Sequence, residues 1–305
     1  MATSERAAQT EVDELEARLA SARARLRAVQ ASSSSPPVVA ARQEQALTLP
    51  PAPSCAPPTT HFLLLLADSA LPIGSFAFSS GLESYLAHHQ QQRASSPTSF
   101  ASFLPLSVSS LAAATLPFVL AAHRDPACLA SLDDQLDAAV VCTVARRASV
   151  AQGRALLSIW ERSFGPALAP APAHAPVLRR FAALLREGSG RQSRDAADDV
   201  PPLVSAHLAP LFGAVCAVVG LGLRQAAYVF MLSHVKALIS AAVRASMFGP
   251  FQAQKVLAGD QVQRMIDAVV SREWDTPVDE AGQSVPVMDL WVGRHELLYS
   301  RIFNS

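Results

Sequence analysis

The sequence predicts an all-α protein. From His61 onward, apolar residues recur every three or four positions, which is the spacing of one face of a helix. No stretch alternates polar and apolar residues with the two-residue period of a half-buried strand. Half of the 305 residues are hydrophobic and only 16% are charged, whereas an average soluble domain has about 25% charged residues. This composition predicts one large helical domain that buries further apolar surface between subunits.

The first 60 residues differ in kind from the rest and are predicted to form an extension. In residues 10–30, apolar side chains alternate three and four apart as in a heptad seam, and Thr10 with Asp13 resembles a capping box. The helix could pair with a copy of itself. A lone solvated helix is the alternative, because so short a seam is near the lower limit for a coiled coil. Residues 31–60 are rich in serine, proline and alanine and predict a flexible linker.

Residues 61–305 are predicted to form the helical domain. One helix face carries apolar residues four apart, namely Leu132, Leu136, Val140 and Val144. The next helix carries two leucines and two aromatic residues, namely Leu156, Leu157, Trp160 and Phe164. Further helices are predicted at 177–187, 203–221, 224–247 and 261–272, with breaks at 165–176, 188–202, 247–251 and 276–286. The polar stretch 188–200 is predicted to be a disordered loop.

Two apolar runs raise the alternative of an integral membrane protein. Residues 103–122 carry no charge over about one bilayer span, and residues 208–223 form a shorter uncharged run. Both runs contain proline. The first run also contains serine and threonine and the second contains glycine, and these residues lower the tendency of a helix to insert into a membrane. Buried helices are therefore favoured over membrane spans.

Charge and cysteine content argue against several classes of protein. Lysine plus arginine equal aspartate plus glutamate at 25 each, so no net field draws the chain to nucleic acid. The four cysteines form no C-x-x-C pair, which argues against a zinc ribbon or a disulfide scaffold. A reducing, cytoplasmic location fits this usage best. Acidic residues near the N-terminus argue against a secretion signal.

Known catalytic patterns are absent from the sequence. It has no G-x-x-x-x-G-K-[ST] phosphate loop and no G-x-S-x-G elbow, and His295-Glu296 lacks the second histidine of H-E-x-x-H. His88 and His89 are adjacent, and neighbours on a helix point about 100° apart, so solvated side chains are favoured over a shared metal ion. No catalytic residue, firm metal site or cofactor is predicted.

The stretch from Leu71 to Glu83 departs from a plain bundle helix, since Pro72 and Gly74 interrupt the helical spacing before Gly81. Its pattern, Leu-Pro-x-Gly-x-Phe-x-x-Ser-x-Gly-Leu-Glu, resembles a segment of the urease accessory protein F (UreF) family. Four further stretches resemble that family in the same order: residues 146–157, 207–213, 240–250 and 294–305. The stretch 240–250 is similar to the plant and fungal branch. Position 252 is glutamine where the resemblance leads us to expect glycine.

The resemblance implies a non-enzymatic scaffold for urease maturation. Proteins of this family are all-helical homodimers that join urease accessory protein D, called H in some bacteria, and recruit the GTPase accessory protein G. The complex presents nickel to apo-urease, and protein F is thought to couple the GTPase state to nickel insertion. The resemblance implies no cofactor in this chain, and neither a nucleic acid nor a membrane as partner. The alternative is a membrane-associated or other helical interaction protein unrelated to urease.

The C-terminus is the first candidate partner-binding site. Arg294, His295, Arg301 and Phe303 combine guanidinium groups with an aromatic anchor, and such residues dominate interface hot spots. A frayed tail could become ordered on a partner, or the tail could pack on its own last helix.

Two further groups of residues are candidates. Phe76 and Tyr85 are a second possible contact surface, with core packing as the alternative. Glu83 and His207 are candidates for a nickel path or a polar interface. The alternatives are a helix-surface charge for Glu83 and a hydrogen-bonded core or interface histidine for His207. Arg146 and Arg147 are expected to be solvated, with pairing to buried carboxylates at a dimer junction as the alternative.

Overall fold

The computed structural model describes residues 17–25, 56–89, 97–168, 172–192 and 203–304. The chain divides into two compact units, Met1–Cys55 and Ala56–Ser305. In the first unit, residues 17–25 are helical and exposed. The remainder of the predicted heptad helix 10–30, including the capping box at Thr10, lies outside the described residues, as does most of the linker 31–60.

The prediction of an all-α fold is confirmed, because the described residues contain helices and turns and no strand. The labelled helices of the second unit are α1 (Pro58–Ala67), α2 (Leu82–His89), α3 (Pro97–Arg124), α4 (Leu129–Ala139), α5 (Thr143–Ile159), α6 (Ala175–Gln192), α7 (Leu208–Val218), α8 (Leu223–Arg244), α9 (Pro250–Leu257), α10 (Asp260–Arg272) and α11 (Val287–Arg294). A π-helical turn, Trp160–Phe164, extends α5, and a 3₁₀ turn, His295–Leu297, follows α11.

The core forms around α3, α7 and α8, and α3 packs on both of the other helices. The apolar runs of the sequence supply these helices, and nearly every residue of α7 is buried. Pro117 lies inside α3, so it cannot donate a hydrogen bond to the carbonyl four residues earlier. That carbonyl, on Ala113, instead accepts the N–H of Gly282 at 3.1 Å. The proline thereby provides an attachment point for the C-terminal part of the chain.

Two glycines allow close approach between elements. A Cβ at Gly213 on α7 would overlap the carbonyl oxygen of Val119 on α3. A Cβ at Gly153 on α5 would overlap the carbonyl oxygen of Ala206, just before α7. Both glycines lie in stretches on which the family resemblance rests. Their physical role is to let a neighbouring backbone lie within van der Waals contact.

Two sequence expectations for helix boundaries are wrong. The helix predicted to begin at residue 203 begins at Leu208, because residues 205–207 give their N–H groups to a side chain described below. The break predicted at Gly188 is absent, since α6 continues to Gln192 with Gly188 buried. A glycine in a helix costs only about 1 kcal/mol, which packing readily offsets. The rest of the predicted loop, 193–200, lies outside the described residues. The linker prediction also ends too late, because α1 begins at Pro58.

Two of the described helices are long and apolar enough to cross a membrane by length and composition alone, Phe100–Arg124 and Leu223–Arg244. In their most apolar windows, 67% and 61% of the residues are buried inside the fold. Core helices of soluble proteins have the same composition, so these helices are weak evidence for a membrane protein.

Candidate functional site

A buried carboxylate organises the segment that leads into α7. Asp133 on α4 is fully buried, and its two oxygens accept the backbone N–H groups of Ser205, Ala206 and His207 at 2.6, 3.0 and 2.6 Å. Burial raises the pKa of Asp133 above its usual value, because it outweighs the opposite effect of these three donors. Ala206 has a φ of 69°, a left-handed conformation that costs a residue with a Cβ some energy. Asp133 therefore holds a strained turn in place.

A second carboxylate extends this network to the surface. Asp137, one turn after Asp133, accepts Nε and Nη2 of Arg146 at 2.7 and 2.9 Å and Nε2 of His207 at 2.7 Å. Burial alone would raise the pKa of Asp137, but the hydrogen bonds from Arg146 and His207 outweigh it and lower that pKa. The bond to Asp137 raises the pKa of Arg146. The expectation that Arg146 is solvated is thus wrong, because Arg146 pairs with a partly exposed carboxylate of its own chain.

His207, a predicted site residue, lies at the centre of this network and is fully buried. Since a carboxylate only accepts hydrogen bonds, Nε2 carries the hydrogen that is donated to Asp137. In the neutral ring, Nδ1 then accepts the hydroxyl of Ser149 at 3.0 Å, and Ser149 Oγ accepts the N–H of Leu208 at 3.2 Å. His207 therefore has the position of its sequence alternative, a hydrogen-bonded core histidine.

Ser149, His207 and Asp137 form the line of hydrogen bonds that hydrolases use to activate a serine. Such a reaction also needs free N–H donors beside the serine to stabilise an oxyanion. In this network the N–H groups of residues 205–207 are taken by Asp133, and Leu208 donates to Ser149 itself. Arg146 also donates to the Asp137 oxygen that accepts Nε2–H of His207, so the charge of that carboxylate is shared between the two donors. The arrangement is suited to joining α4, α5 and α7, and not to acyl transfer.

The second polar site fixes the C-terminal segment to α2. Glu83 accepts the backbone N–H groups of Ile302 at 2.6 Å and Phe303 at 3.2 Å. The same carboxylate accepts Nε2–H of His295 at 3.0 Å, and His295 is fully buried. The N–H of Asn304 donates to the carbonyl of Ala77 at 2.7 Å. Glu83 is therefore the attachment residue of the tail.

The ring of Phe303 completes this attachment. Phe303 is only 4% exposed, and the guanidinium of Arg244 on α8 lies 4.3 Å from the centre of its ring. Arg244 also donates a hydrogen bond to the carbonyl of Phe76. The expectation that Phe303 is an exposed anchor for a partner is wrong in this structure, and so is the expectation of a frayed tail. The tail packs on α2 and α8 through these contacts.

The residues around Phe303 form an exposed apolar and basic surface. Five of the ten exposed large hydrophobic residues described in the second unit lie between positions 287 and 302. Arg301 is 41% exposed and lies 3.9 Å from Glu296, which also pairs with Arg147. We call the C-terminal surface the following exposed residues: Leu290, Arg294, Leu297, Tyr299, Arg301 and Ile302. Arg294 and Arg301 therefore lie where a partner can reach them, whereas His295 and Phe303 do not.

Phe76 and Tyr85 are not fully exposed. Tyr85 packs on Phe103 and Trp291, with ring centres 5.0 and 5.6 Å apart, as its core alternative predicts. Phe76 is partly buried beside the tail. Sequence reasoning missed Asp133, Asp137 and Arg244. Asp133 and Asp137 share the helix face of Leu129, Leu132 and Leu136, which was a signal for the two aspartates. Arg244 lies in the family-like stretch 240–250, but nothing in the sequence showed that it meets Phe303.

We expect Glu83→Ala to release the tail. The substitution removes the acceptor of two backbone N–H groups and of His295, and hydrogen bonds to a charged group contribute about 1.5–3 kcal/mol each. Amide hydrogen exchange at Ile302 and Phe303 should accelerate by a factor of ten or more, while exchange in α7 stays unchanged. Glu280→Ala, at an exposed carboxylate, is the control. Unchanged protection of Ile302 and Phe303 in Glu83→Ala would contradict the role assigned to Glu83.

These features define an all-helical protein whose buried polar groups hold its helices and its C-terminal segment in place. The described residues contain no group of three or more histidine, cysteine, aspartate or glutamate side chains arranged to hold a metal ion. What remains exposed is an apolar and basic surface of the kind that binds other proteins.

The chain belongs to the UreF family, whose sequence model matches residues 94–261. It is 35% identical over 241 residues to an uncharacterized urease accessory protein UreF-like of Schizosaccharomyces pombe, covering 79% of this chain and 95% of that protein. It is 30% identical to urease accessory protein F of Oryza sativa subsp. japonica, covering 78% and 82% of the two chains. It is also 30% identical to urease accessory protein UreF of Paenarthrobacter aurescens, covering 79% and 95%.

Proposed function

We propose that this protein is a non-enzymatic scaffold in the maturation of urease. It joins urease accessory protein D, or H, and recruits the GTPase accessory protein G, so that nickel reaches apo-urease in step with the GTPase state. Family membership supports the process, since the relatives are named urease accessory proteins. The C-terminal surface is the observation that supports the scaffold role. Its side chains Tyr299 and Ile302 are exposed to solvent, and a hydrogen bond to Glu83 holds the backbone at Ile302.

The C-terminal surface has the composition of a protein-binding site. Aromatic and arginine residues contribute most to hot spots, and here Tyr299 and Arg301 lie two positions apart. Because Glu83 fixes Ile302 and Phe303 by their backbone, the backbone of this segment loses little further conformational entropy when a partner binds. The surface is therefore preorganised, and Arg301 and Arg294 supply donors for carboxylates of a partner.

Glu83 and His207 are less suited to a nickel path than the sequence suggested. Glu83 already accepts three hydrogen bonds, and both ring nitrogens of His207 are hydrogen-bonded. A nickel ion would have to displace these bonds. In our proposal the chain uses no cofactor of its own, and nickel is cargo that the assembled complex handles.

The protein is proposed to act as a cytoplasmic homodimer without nucleic-acid or membrane partners. Its low charge and apolar composition support burial of surface between copies.

The N-terminal extension is proposed to be dispensable, because α1 begins only at Pro58. Deleting residues 1–57 should leave urease maturation intact.

We expect the double substitution Tyr299→Ala, Ile302→Ala to weaken capture of purified accessory proteins D and G roughly thirtyfold, the equivalent of about 2 kcal/mol. Arg301→Ala should weaken it in the same direction. Helix content should not change, because these side chains are exposed. Phe251→Ala removes another highly exposed aromatic ring, on α9, and is the control. Equal capture by all variants would overturn the assignment of the partner site, and no capture by the unmodified chain would overturn the scaffold role.

A further inference from the structure

A cavity of about 400 Å³ lies among α3, α5, α7, α8 and α11. Sites for small organic ligands have volumes of about 300–1,000 Å³ and mainly apolar walls. The walls here include Leu111, Phe212, Phe230 and Met288, and the cavity reaches solvent beside Val141, which is 90% exposed. Native interiors rarely contain an empty space much larger than a water molecule. A space of this size is therefore suited to a ligand.

The chemistry of the walls restricts the charge of that ligand. Among the lining residues, the side chains able to carry charge are Cys142, His234 and Asp289. Burial lowers the pKa of His234 to about 4, so its ring is neutral at physiological pH. Asp289 is only partly buried, so water solvates its charge, and it accepts the amide of Gln283 at 2.9 Å. The lining offers no lysine or arginine for an anion, and a buried unpaired charge is costly.

One polar pair in the wall is placed to orient a ligand. Ser107 on α3 is 2% exposed and lies 3.0 Å from Nε2 of His234 on α8. A serine hydroxyl has one donor and two acceptor positions, so a single bond to His234 leaves capacity for another partner. A few polar groups on apolar walls usually fix the orientation of a ligand.

We propose that this cavity binds an uncharged amphiphile, with its apolar body among α3, α7 and α8 and a hydroxyl or carbonyl head hydrogen-bonded at Ser107. The site shares no residue with the C-terminal surface, and it borders the Asp133 network at Ser149 and Leu208. It adds a small-molecule site to a protein proposed to act as a scaffold, and it does not depend on the partners named above.

The unmodified full-length chain gives the first test. Nile red becomes fluorescent when it binds an apolar site. Three competitors, 1-octanol, octanoate and octylammonium, have the same chain length but are neutral, negative and positive, respectively. We expect saturable 1:1 displacement by 1-octanol at a concentration at least tenfold below that needed for either ion. Absence of saturable displacement, or equal displacement by the three compounds, would overturn the proposal.

A matched pair of variants gives the second test. Ala148 on α5 lines the cavity, and Ala151 on the same helix is exposed. Ala148→Leu should fill the space and weaken 1-octanol binding at least tenfold, whereas Ala151→Leu should bind like the unmodified chain. Equal binding by both folded variants contradicts the site. If no probe binds and Ala148→Leu alone converts a dimer to monomers, the cavity is an interface between copies and the proposal fails. Should Ala148→Leu not fold, the charge series on the unmodified chain decides.

Discussion

Asp133→Ala is expected to lower the free energy of unfolding by at least about 3 kcal/mol, the largest effect among the substitutions considered. The reason is that the N–H groups of Ser205, Ala206 and His207 lose their acceptor in a buried region, and each unsatisfied group costs about 1–3 kcal/mol. The left-handed turn at Ala206 also loses the interaction that stabilises it. Denaturation in urea, followed by the helical circular dichroism signal, measures the change.

The adjacent aspartate provides the control for this experiment. Asp134 is exposed on the same helix, so Asp134→Ala should change stability by less than about 0.5 kcal/mol. Asp133→Asn keeps one oxygen acceptor and should fall between the two. A loss below about 1 kcal/mol in Asp133→Ala would mean that water or another group satisfies these N–H donors, and the network would then not fix the start of α7.

Gly213→Ala is expected to destabilise the protein by about 3 kcal/mol, although alanine has a higher helix propensity than glycine. Replacing a helical glycine by alanine usually stabilises by about 0.5–1 kcal/mol. Here the new methyl group would overlap the carbonyl oxygen of Val119, so α3 and α7 would have to separate. Overpacking of a tight core typically costs about 1–3 kcal/mol, and a backbone obstacle cannot rotate away. Thermal and urea unfolding would measure the loss.

A glycine in α11 serves as the matched control. A Cβ at Gly293 would make only ordinary contact with Sγ of Cys142, 3.9 Å away. Gly293→Ala should therefore show the stabilisation that helix propensity gives. If Gly213→Ala also proves stabilising, the helices tolerate a wider separation, and close packing of α3 on α7 is not what requires this glycine.

Asp133→Ala and Gly213→Ala both affect the family-like stretch 207–213, since Asp133 accepts the N–H of His207 and Gly213 ends that stretch. Residues 146–157 supply Arg146, Ser149 and Gly153, and residues 207–213 supply His207 and Gly213. Four of these residues hydrogen-bond or pack across the junction of α5 with the start of α7, and Gly213 packs α7 on α3. The resemblance therefore marks a structural junction here, and the exposed residues near the C-terminus remain the proposed site of partner binding.

Part of the candidate site could be predicted from sequence. The pattern around Leu71–Glu83 and the C-terminal stretch were singled out separately, and the structure joins them through the bonds of Glu83 to Ile302 and Phe303. The sequence did not show that Phe303 turns inward while Ile302 turns outward. This choice depends on Arg244 and Glu83, which are 59 and 220 residues away along the chain.

The sequence by itself determined the all-α class, most helix positions and the family, because apolar spacing and local motifs are properties of neighbouring residues. Tertiary structure alone decided where α7 begins, which of two adjacent aspartates is buried, and which tail residues face solvent. Asp133 and Asp134 are chemically identical in the sequence. One accepts three N–H groups from a segment more than 70 residues away and the other is exposed, since only packing determines which face of α4 meets that segment.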